Sequence, residues 1–384
     1  MINEDTFSQW LISGDDTVSY AKSNIISPDS VIEKIKNITE YVLSQLQDDT
    51  PPDDIEIQLN ERNSELNSQV DPILGVFVQY DTPLKKTYSL VKNPHRFAVF
   101  FRVLSIAYRN LIHKEILTKR SIFYHDCDLF DSQNVVDDVI EDISCCLEIP
   151  RASLNIIACQ KGLVAGPLQW IITSNDNNNQ KGSNNILIDC SNKVEQIPSM
   201  IDTICAQKTK AIAILVVEKE AVFQRLVQSS IVHEIIIVTA RGMPDYSTRL
   251  FLKLLEDSFD IPIVGLFDAD PYGIFIFFVY RFGSRSSAYD GMNMSIPSML
   301  WLGIRPSELN ELSLPKKAFK EQDENDHKLL DKLLKEKNIP ECYKAEINIL
   351  KDLNVKCEIE ALTNDLNRLV DIYLPLKFRK HDWI

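Results

Sequence analysis

Arg120 and Tyr124 stand four residues apart in the stretch Thr118-Lys-Arg-Ser-Ile-Phe-Tyr124. On a helix that spacing projects both side chains from one face, a guanidinium beside a phenol. Such a pair can meet one phosphate, the cation holding it while the phenolic oxygen attacks phosphorus. A free phenol has a pKa of about 10, so ionising one at neutral pH costs roughly 4 kcal/mol, which nearby cations or a base must offset. By spacing alone, the pair fits ordinary surface packing as well as catalysis. His125, next along, reads as a surface residue.

A second set of residues is acidic. Glu218 closes the apolar run Ala211–Val217, and Asp268 and Asp270 close the run Ile261–Phe267. In extended chain, i and i+2 side chains point the same way. Pro271 and Gly273 then turn the backbone sharply. Taken alone, an Asp-x-Asp before Pro-x-Gly fits an ordinary turn. Glu218 at a neighbouring strand end adds a third carboxylate, and three such charges repel unless a cation neutralises them. Oxygen-only ligands at an open site suit Mg²⁺, which takes few protein carboxylates and keeps several waters.

The net charge of −14 is unevenly spread. Residues 1–70 carry 14 acidic against 4 basic side chains, whereas Lys85–Arg120 carries nine basic residues and only Glu115 as an acid. A basic stripe on a near-neutral body is compatible with phosphate contact, as it is with a solvated helix face. The longest apolar run is too short to cross a bilayer, so no membrane association is expected. The first residues have neither the basic start nor the apolar stretch of a signal peptide, and a cytosolic or nuclear chain is expected. Eight cysteines without metal-ligand spacing read as reduced and mostly buried thiols.

The elements that must position these residues follow from periodicity. Residues 1–70 read as an acidic partner-binding arm with two helical stretches, Ser30–Gln47 and Ile55–Leu66, separated at Gln47–Asp54. Apolar residues at helical spacing predict helices over Phe97–Ile112, Lys119–Tyr124 and Ser132–Leu147. Two strand-like pieces, Leu154–Cys159 and Leu168–Ile172, complete the outline of a winged-helix domain over 71–173. The Asn- and Ser-rich segment 174–185 reads as a linker. From 186 to 384 the chain alternates strands (Ile186–Ile188, Ala211–Val217, Ile235–Val238, Ile261–Phe267) with helices (Ala221–Gln228, Thr248–Ser258). That pattern predicts an α/β domain with a parallel sheet covered on both faces, followed by a charged helical tail. Glu218, Asp268 and Asp270 would sit at the carboxyl ends of its strands, where such sheets gather functional groups.

The Tyr124 stretch resembles the catalytic tyrosine motif of the meiotic double-strand-break transesterases, homologues of the topoisomerase VI A subunit. Val217-Glu-Lys-Glu-Ala-Val-Phe-Gln-Arg-Leu226 and Asp268-Ala-Asp-Pro-Tyr-Gly273 resemble the two acidic motifs of that family's Toprim domain. Further matches are Arg151-Ala-Ser-Leu, Lys161-Gly-Leu-Val-Ala-Gly166, Gly242-Met-Pro-Asp, Thr248-Arg-Leu-Phe-Leu252, Trp301-Leu-Gly303 and Lys356-Cys-Glu-Ile-Glu-Ala-Leu362. They fall in the family's order, and the chain looks most like a fungal member.

The resemblance implies a winged-helix domain carrying the nucleophile Tyr124, followed by a Toprim domain. It implies that Tyr124 becomes linked to a 5′ DNA end while Arg120 and Lys161 hold the phosphate. Lys119 is a further DNA contact in this reading, and Glu218, Asp268 and Asp270 bind Mg²⁺. Two copies would cut the two strands, each tyrosine completed by the other copy's metal site. Expected partners are double-stranded DNA, a second copy, other meiotic break-forming proteins and a topoisomerase VI B-like subunit, in the nucleus on chromosomes. No ATP-binding motif is present, so any ATP dependence must come from a partner. Ser121 stands where the family usually has Asp, and Ala269 replaces a different small residue. Rival readings are an archaeal-type topoisomerase subunit that reseals its breaks, a Toprim nuclease or primase without a tyrosine intermediate, and a non-catalytic DNA-binding scaffold.

Overall fold

A computed structural model describes residues 17–20, 26–47, 51, 55–80, 85–158, 160–174, 184–363 and 368–384. After the strand β1 (Thr17–Tyr20), the first half contains helix α1 (Pro28–Gln47) and four short strands. These are β2 (Glu56–Asn60), β3 (Ser68–Val70), β4 (Phe77–Gln79) and β5 (Lys85–Ser89). Helix α2 (Pro94–His113), strand β6 (Leu117–Thr118), helices α3 (Lys119–His125), α4 (Cys127–Phe130) and α5 (Gln133–Leu147), and strand β7 (Ile156–Ile157) follow. The three helices expected over 97–147 are all present. They share one core in which Phe100, Leu104, Ile122, Val139 and Ile143 are buried.

Residues 26–70 do not stand apart as an arm. Val31, Ile35 and Val42 of α1 are buried in the same core as α2 and α5. The acidic side chains lie on the outer faces, and the apolar seam, spaced by four and seven residues, faces inward. The segment expected as a helix over Ile55–Leu66 instead opens with β2, which pairs antiparallel with β5. Its buried Ile57 and Leu59 alternate with exposed or half-buried polar residues, the two-residue period of a strand. The stretches 1–16, 21–25, 48–50 and 52–54 of the expected arm lie outside the described residues.

The expected ribbon is not formed either. β7 pairs in parallel with β6, at the foot of α3. β9 (Leu168–Ser174) pairs with β10 (Asn184–Asp189) and β12 (Ile204–Thr209) in a four-stranded antiparallel sheet of order β1-β12-β9-β10. The expected linker 174–185 therefore joins two strands of one sheet, Asn184 opposite Ser174, rather than two domains. Most of it lies outside the described residues.

The sheet that carries the chemistry has six strands. β8 (Leu163–Ala165) and β11 (Glu195–Gln196) run antiparallel at one edge. β13 (Ile214–Val217), β14 (Ile236–Thr239), β15 (Ile263–Leu266) and β16 (Leu300–Gly303) are mutually parallel, in the order β14-β13-β15-β16. Helices α6 (Glu220–Val227), α7 (Tyr246–Ser258), α8 (Pro271–Arg281) and α9 (Gly291–Met294) lie between these strands in the chain. Beyond β16 come β17 (Phe319–Glu321), α10 (Glu324–Lys335), α11 (Glu341–Leu353), β18 (Val355–Cys357), α12 (Glu360–Thr363) and α13 (Leu374–Lys380).

Both faces of the parallel strands are covered. Ile214 and Val216 pack into the core shared with Phe251 of α7 and Phe277 of α8. Leu215 and Val217 pack into the core shared with Phe223 of α6 and Leu362 of α12. From β13 the chain crosses one face through α6 to β14. It then returns across the other face through α7 to β15, on the far side of β13. That reversal leaves a crevice at the carboxyl ends of β13 and β15.

Candidate active site

Glu218 and Asp268 occupy that crevice. Glu218 follows β13 and is 9% exposed, while Asp268 lies just beyond β15 and is 3% exposed. The Glu218 Oε2 oxygen accepts the Asp268 backbone N–H at 2.9 Å, and Asp268 Oδ1 accepts the Ile359 N–H at 2.8 Å. Asp270 is the N-cap of α8, its Oδ1 accepting the Gly273 N–H at 2.7 Å. A side chain at Gly273 would collide with the Asp268 carbonyl oxygen, so this turn requires glycine. Burial, then repulsion from Asp268, pushes the Glu218 carboxyl up to about 8. Burial likewise raises Asp268 to about 6 and shifts Asp270 upward.

Lys219 answers this repulsion. Its ammonium lies 2.9 Å from Asp268 Oδ2, 2.7 Å from Glu360 Oε2 and 3.1 Å from Glu358 Oε2. Sequence reasoning missed Lys219, Glu358 and Glu360 as site residues, although all three lie within the acidic motifs and the Lys356–Leu362 stretch. Among the described residues, no three His, Cys, Asp or Glu side chains are gathered to hold a metal ion. Lys219 thus supplies positive charge at Asp268, the carboxylate expected to share a cation with Glu218 and Asp270. The donors fit a hard divalent cation: carboxylate oxygens at a strand-end crevice, where burial disfavours their ionisation unless a positive charge is supplied.

The nucleophile candidate lies in the other half. Strand β6 runs into α3, and Thr118 caps that helix by accepting the Ser121 N–H at 2.9 Å. Ser121 Oγ lies 2.7 Å from Thr118 Oγ1, so the residue that departs from the family pattern joins the cap. Tyr124 is 61% exposed. Arg120 Nη2 lies 3.4 Å from the Tyr124 hydroxyl oxygen, as the spacing predicts. Lys119 does not share that face. It turns inward to Glu141 Oε1 at 3.2 Å with its side chain 15% exposed, which does not suit a direct DNA contact.

Lys161 precedes β8, and its Nζ donates to the Met243 carbonyl at 2.9 Å. The Gly242 N–H donates to the Glu218 carbonyl at 2.8 Å, so one loop ties Lys161 to the acidic crevice. Arg241 and Gly242 both take positive φ in that loop, 58° and 95°, and Arg241 pairs with Glu220 at 3.2 Å. Gly162 is a glycine for space, because a side chain there would strike Thr248 and Ile197. The structure thus unites Arg120 with Tyr124, and Lys161 with the carboxylate crevice, in separate halves of the chain.

A parallel sheet with carboxylates at its strand ends is the architecture of a Toprim domain, and the sequence comparisons identify one here. Residues 213–378 match the Toprim domain of the topoisomerase 6 A-subunit/Spo11 family, and residues 95–156 match the family described as Type IIB DNA topoisomerase. The chain is 34% identical over 369 residues to the mouse protein named Meiotic recombination protein SPO11, covering 94% of this chain and 90% of that one. The human protein of that name is 33% identical over 370 residues, with the same coverage. The DNA topoisomerase 6 A-subunit of Arabidopsis thaliana is 34% identical over 321 residues, 82% of this chain and 73% of that protein. The chain belongs to the topoisomerase 6 A-subunit/Spo11 family and is a topoisomerase-VI-A-like DNA-cleaving enzyme. Family membership implies use of a divalent cation. Among the described residues no helix is long and apolar enough to cross a membrane.

Proposed function

We propose that this chain cuts double-stranded DNA by transesterification to initiate meiotic recombination, with Tyr124 as nucleophile. The exposed Arg120–Tyr124 pair carries this reading, because duplex DNA can reach a phenol presented on a helix surface. Arg120 and Lys161 hold the scissile phosphate. The Tyr124 oxygen gives up its proton and bonds to phosphorus, the bond from phosphorus to the 3′ oxygen breaks, and that oxygen takes up a proton. The product is a 5′-phosphotyrosyl link and a free 3′ hydroxyl. Glu218, Asp268 and Asp270 would hold Mg²⁺, which when bound stabilises charge on the leaving oxygen. Lys119 acts from inside, by fixing the start of α3.

The three helices over 94–147 and their short strands form the winged-helix unit in this reading. The exposed tyrosine and the buried carboxylates lie in different halves of the chain. Membership of the topoisomerase 6 A-subunit/Spo11 family supports a site completed between two copies, one tyrosine for each strand. The mouse and human meiotic recombination proteins match over 94% of this chain against 82% for the Arabidopsis topoisomerase 6 A-subunit, which favours the meiotic reading. Its partners are other meiotic break-forming proteins and a topoisomerase VI B-like subunit, and the chain acts in the nucleus on chromosomes. The test is a covalent adduct. With partners, Mg²⁺ and duplex DNA, the chain should become attached to 5′ ends, and Tyr124→Phe should remove the adduct while leaving folding intact. Adduct formation by the Phe variant would overturn the assignment.

A further inference from the structure

One acidic side chain stands between the two halves. Glu141 of α5 receives three donors: Arg151 Nη1 at 2.7 Å and Lys119 Nζ at 3.2 Å on Oε1, and the Tyr289 hydroxyl at 2.6 Å on Oε2. Lys119 opens the helix that carries Arg120 and Tyr124. Tyr289 belongs to the turn Arg285–Asp290 in the other half of the chain. Burial works to raise the Glu141 carboxyl, but the charges of Arg151 and Lys119 prevail and hold it at about 2. It is an anion at neutral pH, half-buried and held by three donors.

The contacts continue from there to the carboxylate crevice. The Arg151 guanidinium carbon lies 4.0 Å from the centre of the Tyr246 ring, and the Tyr246 hydroxyl donates to Asp290 Oδ2 at 2.7 Å. Tyr246 begins α7, directly after the loop whose Gly242 binds the Glu218 carbonyl and whose Met243 binds Lys161. The neighbour of Glu141 grips the same turn. Asp142 Oδ1 accepts Arg62 Nε at 2.8 Å, and Arg62 Nη1 donates to the Ser286 carbonyl at 3.3 Å. Two successive carboxylates of α5 therefore fasten the nucleophile's helix bundle to one turn of the Toprim half.

We propose that Glu141 is a positioning residue that couples the Tyr124 helix to the half of the chain bearing the carboxylates. This rests on the reading that the tyrosine and carboxylates of one copy serve different catalytic centres. A rigid link within each copy then spans both centres of a pair, so that the two strand cuts are set together. Loosening the link should separate the cuts in time and leave nicks.

Tyr289→Phe tests this by removing only the hydroxyl that crosses between halves. In the free chain, amide hydrogen exchange over residues 121–125 should quicken about tenfold, the effect of one lost hydrogen bond to a charged group, with residues 214–217 unchanged. In the cleavage complex, the ratio of nicks to double-strand breaks should rise while the total Tyr124 adduct changes little. Lys119→Met should act the same way and Lys119→Arg should restore the parental ratio. A merely structural role would lower nicks and double-strand breaks together. A parental ratio in Tyr289→Phe, whatever the exchange shows, overturns the proposal. Parent chains that form no Tyr124 adduct would instead overturn the functional reading, and the exchange experiment would still report the coupling.

Discussion

The Glu218 carboxylate that ends one strand is hydrogen-bonded to the backbone N–H of Asp268, the second residue beyond the neighbouring strand, at 2.9 Å. It is at once a candidate cation ligand and a structural acceptor, so its two roles separate by substitution. Glu218→Gln keeps an acceptor oxygen and removes a buried charge beside Asp268. Glu218→Ala strands a buried N–H, at a cost of about 1–3 kcal/mol. At pH above 8, where Glu218 is ionised, we expect Gln to melt above the parent in chelator; Ala should melt below Gln, and both should lose cation binding and cleavage. A Gln variant less stable than Ala would refute the structural half of this account.

The same site sets a pH dependence. Folding raises the Glu218 carboxyl from 4.5 to about 8 and that of Asp268 from 3.8 to about 6. The folded chain then binds more protons than the unfolded chain across that window, and the stability these groups contribute is lost as pH rises towards 8. A divalent cation requires the ionised forms, so Mg²⁺ affinity should climb over the same range. Melting in chelator between pH 5 and 8 should show a steeper decline for the parent than for Glu218→Gln. Parallel curves would contradict it.

Asp270 caps α8 through Gly273, so a charge-free cap should keep the fold without the ligand. Asp270→Asn should leave stability nearly unchanged, whereas Asp270→Ala should cost about 1 kcal/mol. Both should lose cation-dependent cleavage. Full cleavage by the Asn variant would remove Asp270 from the cation site.

How far these features were legible in the sequence depended on their range. The periodic helices around Phe100 and Val139, and the strands ending in Glu218 and Asp268, follow from local pattern. The strand over Ile57 and Leu59 also carried its two-residue period, but the surrounding acidic residues masked it. The Asn-rich segment after Ser174 reads as a connection in either case, and only the pairing of Asn184 with Ser174 shows that it joins two strands. Lys119 and Arg120 differ by about 100° around a helix, so one faces solvent and its neighbour faces Glu141. The roles of Lys219 and Glu141 could not be read locally. Lys219 meets Glu358 and Glu360 across 139 and 141 residues, and Glu141 meets Tyr289 across 148.

The acidic N-terminal region gives a prediction opposite to that of a detachable arm. Ile35 of α1 is 3% exposed in the core shared with α2 and α5. Ile35→Ala should cost about 2–5 kcal/mol in a denaturant melt, and deletion of residues 1–70 should destabilise the first half rather than spare it. A deletion that melts with the parent would restore the arm reading.

The most direct test of the shared site uses chains that are each inactive. Tyr124→Phe chains keep the carboxylates, and Asp268→Asn chains keep the tyrosine. The two are co-expressed with different tags, purified in tandem and assembled with the partners that support cleavage by the parent. If one copy's tyrosine is completed by the other's carboxylates, each mixed pair retains one whole centre. The mixture should then nick DNA, with the 5′ adduct on the Asp268→Asn chain alone. Absence of any adduct from the mixture, under conditions where the parent cuts, would contradict the account.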